Sequence, residues 1–301
     1  MSTEPRLGFL SKQELALTFV TFLWGGTFLV LHLAMQHCGP LFFVGVRFVM
    51  AAVMVALLSG KTVLKMQRRE MVAGVFIGVP LALGYALQCM GLETITSSRS
   101  AFLTALYVPL VPLLQWVILR KKPHIMNFIG IACAFAGLVF LAGPAALTLS
   151  LSHGDTVTVV AAVAIALEIV FISLFAQGVD SRRVTVMQLG AGGLVALLLV
   201  PIVGEPVPTF SWVWFGCAFA LASLSALVQL VMNWAQKSVS PARATVIYAG
   251  EPVWGGLVGW IAGDILGVNT LVGAALIVAG VLISELRPRR GGKVPVTSST
   301  L

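Results

Sequence analysis

Apolar residues along this chain fall into continuous runs, and charges, Pro/Gly turns and polar clusters separate them. A helix needs about 20 mostly apolar residues to cross the hydrocarbon of a bilayer. Ten runs meet or approach that length: 15–34, 40–58, 71–91, 98–119, 125–143, 157–177, 184–203, 211–234, 241–262 and 268–286. None alternates with a period of two, so a transmembrane β-barrel is excluded in favour of helices. The first run is too long for a secretory h-region and no A-x-A-like site follows it, so it reads as a retained helix. The expected fold class is therefore all-α integral membrane, with ten transmembrane helices joined by short links.

Composition agrees and charge adds an orientation. Of 301 residues 58% are hydrophobic and 10% charged, with mean hydropathy +1.00. Soluble domains carry roughly 25% charged residues, so cytosolic enzymes and disordered chains do not fit. The net charge of +8 is not a nucleic-acid face. With ten spans, all but two of the 19 basic residues lie on the side of both termini. The exceptions are Arg99, on the opposite side, and Arg47, inside the second span. The acidic residues Glu93, Asp155, Glu205 and Asp264 fall on the side opposite the termini. The positive-inside rule then puts both termini in the cytoplasm of a cell whose inner membrane holds the protein. Trp212, Trp214 and Trp234 flank the eighth span as an aromatic belt would. Gly74 and Gly78, and Gly255, Gly259 and Gly263, recur at one-turn spacing suited to close helix packing.

A shift of 143 residues lays one half of the chain on the other: Pro109 meets Pro252, Gly130 meets Gly273, and Ala136-Gly137 meets Ala279-Gly280. Each unit holds five spans, an odd number, so the copies must have opposite orientation. Inverted repeats of this kind characterise many secondary transporters, whose binding site lies near the midplane between the halves. The expected layout is a cytoplasmic tail (1–14), a first repeat (15–143), an external linker (144–156), a second repeat (157–286) and a basic cytoplasmic tail (287–301).

The stretch Ser100-Ala101-Phe102-Leu103-Thr104-Ala105-Leu106-Tyr107-Val108-Pro109-Leu110 resembles the end of an EamA domain. So does Ser240-Pro241-Ala242-Arg243 followed by Glu251-Pro252-Val253 and Leu257-Val258-Gly259-Trp260. Leu23-Trp24-Gly25-Gly26-Thr27-Phe28 and Arg47-Phe48 resemble the start of the first EamA unit, so the resemblance covers nearly the whole chain. It implies the drug/metabolite transporter superfamily: ten helices in two inverted EamA repeats and export of amino acids, metabolites or toxic organic compounds. It also implies that the first, third, fourth, sixth, eighth and ninth helices line the cavity. The chain departs from the family pattern at Arg120-Lys121-Lys122, where an acidic residue is frequent, and at Glu168 in the sixth span.

Three ionisable residues lie within spans, Arg47, Glu168 and Glu251. Each must pair, neutralise or face a cavity, because a charge at mid-helix costs at least about 2.5–3.5 kcal/mol. Glu168 has only apolar neighbours on its own helix and suits a carboxyl that binds and releases a proton. Glu251 precedes Pro252, which breaks the helix as Pro109 does in the first repeat. Two readings stand for Glu251, a proton-coupling or cation-binding acid or a structural ion pair with Arg47. Arg47 itself pairs with Glu251 or a carbonyl, or else holds a substrate carboxylate bidentately. Trp24, Tyr85, Tyr107, Asn233 and Tyr248 are the remaining candidates to line a cavity, the aromatic ones by stacking on an organic solute.

His32, His37, His124 and His153 make no metal spacing, Cys38, Cys89, Cys133 and Cys217 make no CxxC, and there is no P-loop. No metal, cofactor, ATP or catalytic set is expected, so the chain reads as no enzyme. The expected activity is secondary transport of a small organic solute by alternating access, outward, either proton-coupled or facilitative. The expected partners are that solute, protons and membrane lipids, with no nucleic acid; monomer and dimer both fit. Uptake of a metabolite is the alternative direction, and a membrane-embedded enzyme or sensor the remote alternative.

Overall fold

The structure, a computed structural model, describes residues 11–25, 27–95, 100, 103–142, 152–175, 177–251, 253–254 and 267–285. Among them there is helix and no strand. The first run is carried by α1 (Lys12–Gly25) and α2 (Thr27–Met35), the second by α3 (Pro40–Ser59) and the third by α4 (Arg68–Leu92). The helices α5 (Tyr107–Leu119), α6 (Ile125–Ala142), α7 (His153–Phe175), α8 (Ser181–Val203) and α9 (Trp212–Ala235) follow, then α10 (Pro241–Tyr248) and α11 (Val268–Glu285). The helices α3 with its 3₁₀ extension, α4, α7, α8 and α9 are long and apolar enough to cross a membrane, and α5, α6 and α11 are shorter apolar helices. Large apolar side chains point outward, including Leu58 at 82% and Ile202 at 75% exposure. Surfaces of that kind need lipid, and the chain is a multi-pass membrane protein.

Four helices, α1, α4, α7 and α8, begin three or four residues earlier than the hydropathy pattern predicts. Glu14 accepts from Ser11 N–H (2.7 Å) while Ser11 Oγ accepts from Glu14 N–H, a capping box that starts α1 at Lys12. Ser152 and Asp155 make the same reciprocal pair at the start of α7. The N-terminus of α3 follows Gly39, which has no side chain to cap it. Glu205 substitutes from the far half of the chain, its carboxylate accepting from Leu41 N–H (3.0 Å) and Phe42 N–H (2.8 Å).

The two halves pack through one another with approximate two-fold symmetry. Helix α6 lies against α11 and α3 against α8, while α4 packs on α7 and α8 much as α9 packs on α1, α2 and α3. The α6–α11 contact is reciprocal: Gly137 closes on the Gly273 carbonyl, and Gly280 closes on the Gly130 carbonyl. These are the glycines that the 143-residue shift superposes, so the sequence repeat is a symmetry of packing here. Gly74 and Gly78 press on Met187 and Gln188 of α8, where a β-carbon would not fit. Gly255, Gly259 and Gly263 lie outside the described residues. Trp212 is 77% exposed as a belt residue would be. Trp214 is instead buried, its indole N–H donating to the Thr209 carbonyl (3.1 Å) and its ring set against Phe42 (5.3 Å).

At the end of the bundle rich in Lys and Arg, acids on helix starts pair across elements. Glu14 of α1 bonds Arg243 of α10, and Glu70 of α4 bonds Arg183 of α8 (3.1 Å). Gln115 of α5 accepts from Ala242 N–H (3.0 Å) and donates to the Lys121 carbonyl (3.1 Å). These contacts tie α1, α5 and α10 together.

Candidate functional site

The fourth and ninth runs do not continue as single helices. Residues 105–106 form a turn just before α5, and the chain turns again at 249–250 just after α10. Proline cannot donate to the carbonyl four residues earlier, and its ring crowds that carbonyl. For Pro109 that carbonyl belongs to Ala105, which accepts instead from Val108 N–H (2.9 Å). Pro252 lies outside the described residues, as do the basic tail and Arg99. The two openings fall at nearly equivalent points of the repeats, and each sits beside side chains that face the centre.

That centre holds a cavity of about 60 Å³, room for a few water molecules. Its wall includes Trp24, Thr27 and Leu31 from α1 and α2, Arg47 from α3, and Tyr85 and Gln88 from α4. Thr104 and Tyr107, then Ile165, Glu168 and Ile169 of α7, Met232 of α9, and Tyr248 and Glu251 complete it. Of the seven residues expected to line a cavity, six share this one: Trp24, Tyr85, Tyr107, Glu168, Tyr248 and Glu251. The set of lining helices expected from the resemblance needs correction, since α3 contributes Arg47. The indole of Trp24 meets the Tyr248 ring edge-to-face at 5.4 Å. Gln236 donates to the Tyr248 hydroxyl (3.1 Å) and Gln88 to Thr104 Oγ1 (3.2 Å).

Asn233, the seventh, does not line the cavity. It is 3% exposed and its amide donates to Gln188 Oε1 (2.7 Å) and Thr185 Oγ1 (2.9 Å) of α8. Gln188 donates in turn to Gln229 Oε1 (2.8 Å), and Gln229 donates to Glu168 Oε1 (3.0 Å). A longer contact from Gln188 Nε2 (3.5 Å) reaches the same oxygen. Glu168 is thus the cavity end of a buried ladder across α7, α8 and α9. Both amides address Oε1; Oε2 has no hydrogen bond among the described residues. An oxygen that accepts two N–H groups serves equally as a carboxylate oxygen or as the carbonyl oxygen of a neutral acid. The carboxyl can therefore gain or lose a proton at Oε2 with its anchoring unchanged. The sequence offered Glu168 no partner on its own helix; its partners come from two other helices.

Of the two readings of Glu251, the ion pair with Arg47 is not formed among the described residues. Among the described residues no carboxylate lies within 4.0 Å of the Arg47 guanidinium. Arg47 Nε donates to Ser225 Oγ of α9 (2.8 Å), and its guanidinium carbon sits over the rings of Tyr85 (5.1 Å) and Phe48 (5.6 Å). These neighbours on α3, α4 and α9 hold the cation in place. Glu251 makes no hydrogen bond among the described residues and lines the cavity directly.

The family model of the EamA-like transporter family matches this chain twice, over residues 12–143 and 152–286. An uncharacterized transporter of Archaeoglobus fulgidus is 27% identical over 284 residues, which span 91% of this chain and 86% of that protein. The uncharacterized transporter YoaV of Bacillus subtilis is 24% identical over 283 residues, 91% of this chain and 96% of the relative. A solved structure, titled only as the crystal structure of a protein, shares the fold. It has a TM-score of 0.72 at 20% identity and covers 91% of this chain and 97% of its own. Two family matches that together span the described helices, transporter relatives over most of the length and a cavity between the halves agree: the chain is a membrane transporter and belongs to the EamA-like transporter family.

Proposed function

We propose that this protein exports a small organic solute across the cytoplasmic membrane by alternating access, driven by protons. Ten spans in two inverted five-helix repeats, 15–143 and 157–286, carry the motion, and both termini face the cytoplasm. One observation carries the reading: the central cavity takes its wall from both repeats, next to both helix openings, and holds Glu168 and Glu251 together. A site between repeats is exposed to one side when one half rocks against the other. Glu168 is anchored through one oxygen and leaves the other for a proton, and Glu251 offers a second carboxyl without a hydrogen bond among the described residues. Trp24, Tyr107 and Tyr248 give the organic part of the solute its contact surface. In place of ion coupling, a facilitator would need neither carboxyl.

The test is transport by purified protein in proteoliposomes, using a panel of organic acids, amino acids and amines with and without a pH gradient. Wild-type flux should rise with the gradient. Glu168→Gln keeps an amide acceptor for Gln229 but carries no proton, so its flux should lose the gradient response. Glu251→Gln should do the same or stop flux. Flux by Glu168→Gln and Glu251→Gln with wild-type pH dependence overturns the coupling. A folded wild-type protein that moves no solute of the panel overturns the export reading.

A further inference from the structure

We propose that Arg47 is the seat of a carboxylate on the transported solute, so that the cargo is an organic acid or carries one. The proposal rests on the reading of the central cavity as the transport site. Arg47 is 3% exposed and stands mid-way along α3. It lines the cavity, yet only its Nε is engaged, by Ser225 Oγ at 2.8 Å. The two terminal nitrogens have no hydrogen bond among the described residues, and no carboxylate there comes within 4.0 Å. A guanidinium does not shed its proton to escape such a setting, and a buried charge without a partner is strongly unfavourable. Among the described residues none supplies the counter-ion: Glu168 is tied to Gln229 and Gln188, and Glu251 is not within 4.0 Å.

The orientation fits an anion that arrives through the cavity. The Tyr85 and Phe48 rings, 5.3 Å apart, lie side by side against the guanidinium at 5.1 and 5.6 Å, and Ser225 fixes its Nε edge. The free outer edge is a planar fork of N–H donors, which matches a carboxylate with two parallel hydrogen bonds. A phosphate dianion would meet the same fork, but it would also meet Glu168 and Glu251 across the cavity and be repelled. A single negative charge on a planar group suffers least from those two carboxyls. Arg47 therefore selects the charged group of the solute, and Trp24, Tyr107 and Tyr248 take its body.

The experiment uses the full chain in lipid nanodiscs, with benzoate, benzamide, benzylamine and phenyl phosphate as probes of one ring size. Binding is read by calorimetry and by quenching of tryptophan fluorescence. Wild type should bind benzoate at least tenfold more tightly than benzamide or benzylamine, and more tightly than phenyl phosphate. Arg47→Lys, which keeps the charge but not the fork, should lose at least tenfold for benzoate and leave benzamide unchanged. Ser225→Ala removes only the hydroxyl that orients Arg47 and should weaken benzoate several-fold; it decides the matter if the Arg47 variant does not fold. Equal binding of benzoate and benzamide, tighter binding of phenyl phosphate, or no binding of any probe by wild type overturns the proposal. So does unchanged benzoate affinity in a folded Arg47→Lys. Flux in proteoliposomes separates this from the transport reading. A protein that moves solutes without regard to a carboxylate refutes Arg47 alone, whereas benzoate bound through Arg47 without flux of any solute refutes transport alone.

Discussion

The reciprocal glycine contact between α6 and α11 makes a quantitative prediction. A β-carbon added at Gly137 would lie 2.6 Å from the Gly273 carbonyl oxygen and 3.0 Å from Ile277 N. At Gly280 it would lie 2.5 Å from the Gly130 carbonyl oxygen and 2.9 Å from Ala134 N. In both cases the obstacle is backbone, which cannot rotate away, so the helices must separate by most of an ångström. A gap of that size forfeits about a quarter to a half of each dispersion contact along the seam. Overpacking costs about 1–3 kcal/mol, and the better helix propensity of alanine returns less than about 1. Gly137→Ala and Gly280→Ala should each destabilise by about 1–2 kcal/mol, or roughly 2–8 °C in melting temperature if larger domains are a guide. Gly216 on α9 is the control: nothing lies within 4 Å of its β-carbon position, and Gly216→Ala should melt no lower than wild type. The assay is thermal unfolding in detergent followed by size-exclusion recovery. Unchanged melting in both seam variants, or a loss in only one, refutes the two-fold reading of this contact.

Glu70 is 3% exposed and binds Arg183 together with the N–H groups of Gln67 and Asp180. Arg183→Ala leaves that carboxylate buried and unpaired, so stability should fall by about 3 kcal/mol, and a loss below 1 in chemical unfolding would contradict it. Glu205→Ala strips the α3 N-terminus of both its acceptors and should cost about 2 kcal/mol; hydrogen exchange at Leu41 and Phe42 should quicken, and unchanged protection there refutes the capping role. Burial, the nearby Glu205 charge and Cys217 push the Cys38 thiol up to about 12. Only about one molecule in ten thousand is then a thiolate at pH 8. Maleimide alkylation of a variant that keeps only Cys38 should be far slower than that of free cysteine and should quicken about tenfold per pH unit up to pH 11. A rate at pH 8 equal to that of free cysteine rules this out.

Much of the architecture follows from the chain read alone, and the reason is the solvent. In a bilayer every backbone polar group must bond within its own element, so long apolar runs can only become helices. The duplication was legible because glycines at helix crossings have few substitutes, hence Gly130, Gly137, Gly273 and Gly280 stay in register. Two capping boxes, Ser11 with Glu14 and Ser152 with Asp155, are written in the sequence as S-x-x-[ED]. Hydropathy overlooks them because polar residues stand where α1 and α7 begin. The residues of the cavity were legible too, since a polar or ionisable side chain in a span has few places to go.

The relations among those residues belonged to the tertiary structure. Glu168 finds Gln229 and Gln188 from 61 and 20 residues away, and Asn233 joins that ladder instead of the cavity. Arg47 and Glu251, opposite charges that the sequence invites one to pair, stand apart because Ser225, Tyr85 and Phe48 claim the guanidinium first. A sequence fixes which side chains must leave the lipid, because transfer cost depends on the side chain alone. Which of them meet depends on the rotation and crossing of helices, and backbone contacts such as Gly78 on Gln188 set those.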